Sequence, residues 1–132
     1  MRVASHRFEV RVYYEDTDFS GNVYHAAYLH FFERARTEFL RAGGIHHSEL
    51  AKDGIAFAVR RMEIDFAGAA HIDDLLTVET SVVALTGARL TLLQVISRQG
   101  NELARATVVV VAITTAGRAA RMPKAILTRF LA

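Results

Sequence analysis

The pattern of apolar and polar positions changes period twice in the first third of the chain. Phe8-Glu9-Val10-Arg11-Val12-Tyr13 alternates apolar with charged residues, the period-2 signature of a half-buried strand. A polar stretch from Glu15 to Asn22 interrupts it. Ala27, Tyr28, Phe31, Phe32, Ala35 and Phe39 then recur at helical spacing and predict a long helix with a wide apolar face. The opposite face carries Glu33, Arg34, Arg36, Glu38 and Arg41, with Arg34 and Glu38 spaced for an i,i+4 ion pair. Asn22 is the expected N-cap, followed by Val23, Tyr24 and His25 as the first helical positions. Gly43-Gly44 should end the helix. Ser48-Glu49-Leu50-Ala51-Lys52 predicts a short second helix, stopped by Asp53-Gly54.

From Ile55 the chain reads as strand almost to its end, and the first strand holds a phase error. Phe57 and Val59 share one parity, whereas Met62, Ile64 and Phe66 share the other. One extra residue near Arg60-Arg61, a β-bulge, would bring both sets onto one face. Gly68 to Asp74 reads as a loop, Leu76-Val78-Thr80-Val82-Ala84 as a strand, and Thr86-Gly87 as a turn into Leu90-Leu92-Gln94-Ile96. Gln99-Gly100-Asn101 turns again, into a run from Ala106 to Ile113 that is apolar on both parities. Both faces of that run should therefore be covered. One face can lie on the helix; the other calls for a second sheet or a second subunit. A strand, a long helix and a meander of strands define a single α+β domain over residues 1–132, with the helix on a curved antiparallel sheet.

Composition removes several functions. The chain has no cysteine, which excludes disulfides, zinc–thiolate sites and a thiol nucleophile. A formal charge of +2, with no Lys/Arg run interleaved with aromatics, gives no support for nucleic acid. No apolar run reaches the roughly 18 residues of a membrane span, and the first residues, Met1 to Arg7, lack a signal peptide's apolar centre. A cytoplasmic location is the expectation. The 52% apolar share is high enough to suggest a buried subunit interface besides the core.

The chemistry concentrates between Tyr13 and His25. A carboxylate-bearing turn with a glycine runs straight into a helix, whose first N–H groups lack intrahelical acceptors and can stabilise an oxyanion. Asp18 is the candidate acid, Gly21 the point where a substrate could approach the backbone, and His25 the nearby histidine. Glu15 and Asp16 are read as solvated turn residues or complements of the helix dipole. Asp16-x-Asp18-x-Ser20-Gly21 imitates half a calcium loop, but Ala27 stands where the bidentate glutamate is required. There is no Gly-x-Ser-x-Gly elbow, dinucleotide fingerprint or phosphate-binding P-loop.

Tyr13-Tyr14-Glu15-Asp16-Thr17-Asp18-x-x-Gly21-x-Val23-Tyr24-His25-x-x-Tyr28, running into Glu33-Arg34-Ala35-Arg36-Thr37-Glu38, resembles the signature of the hydroxybenzoyl-CoA thioesterase family of hot-dog proteins. Within it, the chain is most similar to bacterial acyl-CoA thioesterases associated with the Tol-Pal system. The resemblance implies a hot-dog fold, a long helix wrapped by a five- or six-stranded antiparallel sheet, with subunits paired edge to edge into dimers or tetramers. It implies hydrolysis of an acyl-CoA, short- to medium-chain or aromatic, with Asp18 as nucleophile or general base and Tyr14 and His25 assisting. The backbone N–H of Tyr24 or His25 would polarise the carbonyl. Arg60, Arg61 and Arg89 are candidates for the CoA phosphates. No metal or organic cofactor is implied, since coenzyme A is part of the substrate. An acyl carrier protein or lipid-synthesis enzymes are candidate partners. A dehydratase would need a differently placed histidine with an acidic partner. The rival outside enzymes is a non-catalytic acyl-CoA or acyl-carrier-protein binding module of a lipid or envelope complex, which would gain nothing from a carboxylate aimed at the thioester.

Overall fold

The computed structural model describes residues 5–130. Met1 to Ala4, where the reading against a signal peptide begins, lie outside them. The elements are β1 (Ser5–Arg11), a 3-10 turn (Tyr14–Asp16), α1 (His25–Ala42), α2 (His47–Lys52), β2 (Ile55–Phe66), β3 (Leu75–Leu85), β4 (Arg89–Arg98), β5 (Asn101–Thr114), β6 (Ala119–Ala120) and α3 (Lys124–Phe130). All strand pairs are antiparallel, in one six-stranded sheet ordered β1-β3-β4-β5-β2 with β6 against β5.

The expected apolar stripe of α1 is the stripe that is buried. Phe31, Phe32 and Ala35 are fully covered, facing Leu76 and Val78 of β3, Leu92 and Ile96 of β4, and Ala106 and Val108 of β5 in one core. Burying a side chain of phenylalanine size contributes roughly 1.5–3 kcal/mol, so α1 is held by packing rather than by propensity. Truncating Phe32 to alanine would remove about 3–5 kcal/mol of the molecule's stability. The helix ends at Gly43, and Gly44 takes the left-handed conformation with φ 81°. The Arg34–Glu38 pair does not form; Glu38 instead pairs with Arg41, 3.1 Å away, one turn later.

Arg36 also departs from the solvent-facing expectation. Its Nη1 donates to Gln94 Oε1 at 3.1 Å, while the Gln94 amide donates to the Phe32 carbonyl and to Thr80 Oγ1. Thr80 and Gln94 are fully buried on the inner face of β3 and β4. This explains two polar residues in apolar phase: each satisfies the other, and together they tie α1 to the sheet. Burial pulls the Arg36 guanidinium below its ordinary pKa, with the charge of Glu33 opposing.

The bulge in β2 lies where the phase error places it. Val59 pairs with Val110 and Arg61 with Val109, which leaves Arg60 as the extra residue. Phe57 and Val59 before it, and Met62, Ile64 and Phe66 after it, therefore share the side of Val108 and Val110 that faces α1. A second shift between Val82 and Ala84 was not foreseen; it turns Val83 outward, 60% exposed. On β5, Ala106, Val108, Val110 and Ala112 are buried, whereas Val109, Val111 and Ile113 on the outer face are half-exposed in the single chain. One face of the doubly apolar run is thus covered by α1 and the other is not. Among the described residues β2 has a strand neighbour on one side only.

Candidate active site

The acidic segment is a small folded unit. Thr17 bridges Val23, the Asp18 N–H donates to the Asn22 carbonyl at 2.8 Å, and the Gly21 N–H donates back to the Asp18 carbonyl at 3.1 Å. Gly21 has φ 82°, and that left-handed turn is sufficient reason for a glycine there. The two aspartates do different jobs. Asp16 accepts the Tyr13 N–H at 2.8 Å and so caps the 3-10 turn, a specific structural bond rather than a solvated end. Asp18 points to solvent, with one oxygen, Oδ1, accepting the Ser20 hydroxyl at 2.6 Å and the Ser20 N–H at 2.8 Å. These two bonds, the hydroxyl's first, hold its carboxyl below the ordinary aspartate pKa against the opposing effect of desolvation, with a smaller contribution from the Asn22 N–H. Oδ2 accepts from no side chain among the described residues. An ionised carboxylate with one oxygen fixed and the other free of side-chain bonds suits a base or nucleophile.

The helix begins later than expected. Tyr24, in extended conformation, occupies the N-cap and His25 is the first helical residue. Asn22 is not the cap; it bridges His71 in the loop before β3. The shift follows from hydrogen bonding: the Val23 N–H is taken by the Ala70 carbonyl at 2.9 Å, which keeps residues 22–23 extended. Of the two expected oxyanion donors, the Tyr24 N–H makes a long bond, 3.4 Å, to the Asp16 carbonyl. The N–H groups of His25 and Ala26 have no acceptor among the described residues, which adds Ala26 to the candidates. The His25 ring sits edge-on to Phe66, 6.4 Å between centroids, and Phe66 packs on Tyr28 at 5.4 Å. Tyr14 is 81% exposed in the 3-10 turn, and its hydroxyl meets no partner among the described residues.

The loop between β2 and β3 supports this unit, and its residues were not singled out in the sequence. Tyr28 is buried with its hydroxyl accepting the Ala70 N–H at 3.0 Å. Arg98 pairs with Asp74 at 2.6 Å beneath the loop. The Asp74 carboxyl is pushed up by burial but ends below its ordinary pKa, because the His71 N–H and the Arg98 hydrogen bond and charge outweigh burial. Neither residue belongs to a local motif, so only the folded chain brings them to the site.

Two hollows complete the surroundings. A cavity of about 410 Å³ lies between α1, α2 and β2, floored by Phe57, Leu90, Leu92 and Val110 and rimmed by Glu33, Arg36 and His47. At the outer side of the β2 bulge, Arg60 and Arg89 line a cavity of about 310 Å³ with Val111, Ile113 and Ala120. Arg121, unmarked by any sequence pattern, stands against Gly87 beside it. Arg61 is separate: it pairs with Glu63.

A helix lying on one antiparallel sheet, with a carboxylate turn at the helix start, defines the hot-dog thioesterase class. The chain belongs to the Thioesterase-like superfamily, whose profile matches residues 12–130. It is 50% identical over 107 residues to the acyl-CoA thioesterase YbgC of Haemophilus influenzae, covering 80% of this chain and 79% of that one. It is 38% identical over 132 residues to the acyl-CoA thioester hydrolase YbgC of Escherichia coli, covering 98% of each. The crystal structure of the probable thioesterase of Bartonella henselae superposes with a TM-score of 0.87 at 46% identity, covering 91% of this chain and 100% of that one. The protein is an acyl-CoA thioester hydrolase, and the binding-module reading is set aside. No helix of the described residues is long and apolar enough to cross a membrane.

Proposed function

We propose that Asp18 drives the hydrolysis and that the complete site is built from two chains. The observation that carries the first part is an ionised Asp18 whose Oδ2 accepts from no side chain among the described residues, in the turn before a helix start whose His25 and Ala26 N–H groups have no acceptor there. The thioester carbonyl oxygen would accept the His25 N–H, with Ala26 as a second donor, so that charge developing on it is stabilised. Asp18 then takes a proton from water as hydroxide adds to the carbonyl carbon, or adds to that carbon itself to form an anhydride that water opens. In either course the C–S bond breaks and the CoA thiolate leaves with a proton. His25 and Tyr14 orient the water or the thioester. No metal or organic cofactor takes part.

The second part follows from where the cavity lies. Glu33 is about 12 Å along the helix from His25, at 1.5 Å per residue, so the groove sits at the far end of α1 from Asp18. The unpaired edge of β2 offers a way to join the two. A two-fold axis through the middle of that strand would lay the Phe66 end of one chain, with its Asp18 turn, beside the Phe57 end of the other, with its groove. The groove's apolar floor suits a short- to medium-chain or aromatic acyl group. The phosphates of CoA would meet Arg60, Arg89 and Arg121. The half-exposed outer face of β5 would join dimers into a tetramer. With acyl-CoA as substrate, the reaction belongs in the cytoplasm, with Tol-Pal association or an acyl carrier protein as its wider setting. A panel of acyl-CoA substrates assayed for thiol release, with Asp18→Asn alongside, tests the reading. Turnover that peaks at acyl groups able to fill the groove, and is lost in Asp18→Asn, supports it. Parental turnover in that variant rejects the carboxylate mechanism.

A further inference from the structure

One guanidinium holds the underside of the loop on which the reactive turn rests. The backbone of residues 69–72 alternates between two neighbours. Toward the turn, the Ala70 carbonyl accepts the Val23 N–H at 2.9 Å and the Ile72 N–H donates to the Gly21 carbonyl at 3.0 Å. On the other side, Arg98 Nη1 donates to the Ala69 carbonyl at 3.1 Å and to Asp74 Oδ2 at 2.6 Å, and lies 3.3 Å from His71 Nδ1. Asp74 Oδ2 also accepts the His71 N–H at 2.8 Å. A single ion pair therefore grips residues 69, 71 and 74, while residues 70 to 72 grip the turn. Asp73, between these contacts, is a non-glycine residue with φ 71°, a conformation that persists where its surroundings enforce it.

We propose that Arg98 and Asp74 are positioning residues for the hydrolysis. Gly21, Asn22 and Val23 are the covalent link between Asp18 and the helix start at His25, and all three are bonded to the loop that Arg98 secures. Moving the loop changes the separation of the carboxylate from the oxyanion donors. It leaves the acyl groove and the arginine-lined cavity alone, because Arg98 and Asp74 line neither. The signature is therefore a loss in kcat with substrate affinity retained, since misplacement of about 1 Å can cost about 10²-fold in rate. Lysine can keep a charge opposite Asp74, but its ammonium stands one bond nearer the backbone than Nη1, the nitrogen that makes all three contacts, so it restores only part of the function.

This inference rests on the reading that Asp18 acts on the thioester, so Asp18→Asn is assayed in parallel. Thiol release is measured for Arg98→Met, Arg98→Lys, Asp74→Asn and the Arg98→Met/Asp74→Asn double variant, with far-UV circular dichroism to confirm folding. Arg98→Met and Asp74→Asn should each lower kcat by about 10- to 10²-fold with KM within about threefold. The double variant should be no slower than the slower single, because the two residues act as one device. Arg98→Lys should lie between Arg98→Met and the parent. Parental kcat in Arg98→Met and Asp74→Asn overturns the proposal, as does a loss confined to KM or losses that multiply in the double variant. Should Arg98→Met not fold, Asp74→Asn and Arg98→Lys decide on the same criteria. A parental kcat in Asp18→Asn rejects the catalytic reading instead, whatever the Arg98 series does.

Discussion

The two ends of α1 are opposites. Its start exposes His25 and Ala26, whose N–H groups have no acceptor among the described residues, follows the Asp18 turn, and is shaped by hydrogen bonds among short loops. Its second half covers the buried Thr80–Gln94–Arg36 network and opens onto an apolar cavity with no reactive turn beside it. One end holds the carboxylate and helix start proposed to cleave the thioester, and the other holds the cavity proposed for the acyl group. On the proposed reading a single chain presents two half-sites, which would be a reason for the hydrolase to work as a pair. The ends also differ in what holds them. The turn depends on polar contacts that water competes for, whereas the far end depends on packing and on a buried network that water does not reach.

The sharpest way to break the comparison is at the turn itself. Asp18→Asn should lower kcat by about 10²–10⁴-fold with little change in thermal stability, because an amide keeps the shape and discards the charge. Asp16→Asn should do the reverse: turnover mostly kept, and about 0.5–2 kcal/mol lost in denaturant unfolding from the weakened cap on Tyr13. Equal losses of turnover in both would mean that the two aspartates are not divided between chemistry and support.

Joining the half-sites can be tested by mixing. Asp18→Asn damages one half, and Thr37→Trp, which fills the groove from α1, damages the other. After subunit exchange, a two-chain site should regain about a quarter of parental activity, because half the dimers are mixed and each contains one intact site. Mixtures as inactive as their components would place groove and carboxylate in the same subunit.

At the far end, Gln94→Leu should destabilise the fold by about 1–3 kcal/mol, read as a lower melting temperature, because it leaves Arg36 and Thr80 without their shared partner. A neutral result would show that water enters beneath α1 there. The smallest effect belongs to Ser20→Ala. The bonds from Ser20 keep Asp18 ionised below the usual carboxylate range, so activity should persist into mild acid and fall as pH drops through that lowered pKa. Losing the hydroxyl should move this acid limb upward while leaving the plateau kcat nearly unchanged; an unmoved limb would mean that it belongs to another group.

Most of the architecture was legible in the order of residues, because period and phase survive without tertiary information. The α1 stripe, the meander and the Arg60 bulge follow from where apolar side chains must point, and a one-residue slip would have turned a whole set to water. Asp18 was legible through its turn and its family-like motif. The start of α1 was not: a local rule favoured Asn22 as cap, and a bond from Val23 to Ala70, far along the chain, overruled it. Gln94 and Thr80 follow the apolar phase of their strands, yet only the inward turn of Arg36 gives them partners. Asp74, Arg98 and Arg121 belong to no motif, since long-range polar pairs leave no periodic trace. The sequence by itself therefore determined the elements, their buried faces and the turn that carries the candidate carboxylate, since these depend on local geometry and hydrophobicity. Only the tertiary structure decided which N–H groups lack an acceptor among the described residues, what braces the turn and where the apolar cavity opens, because each depends on distant segments meeting.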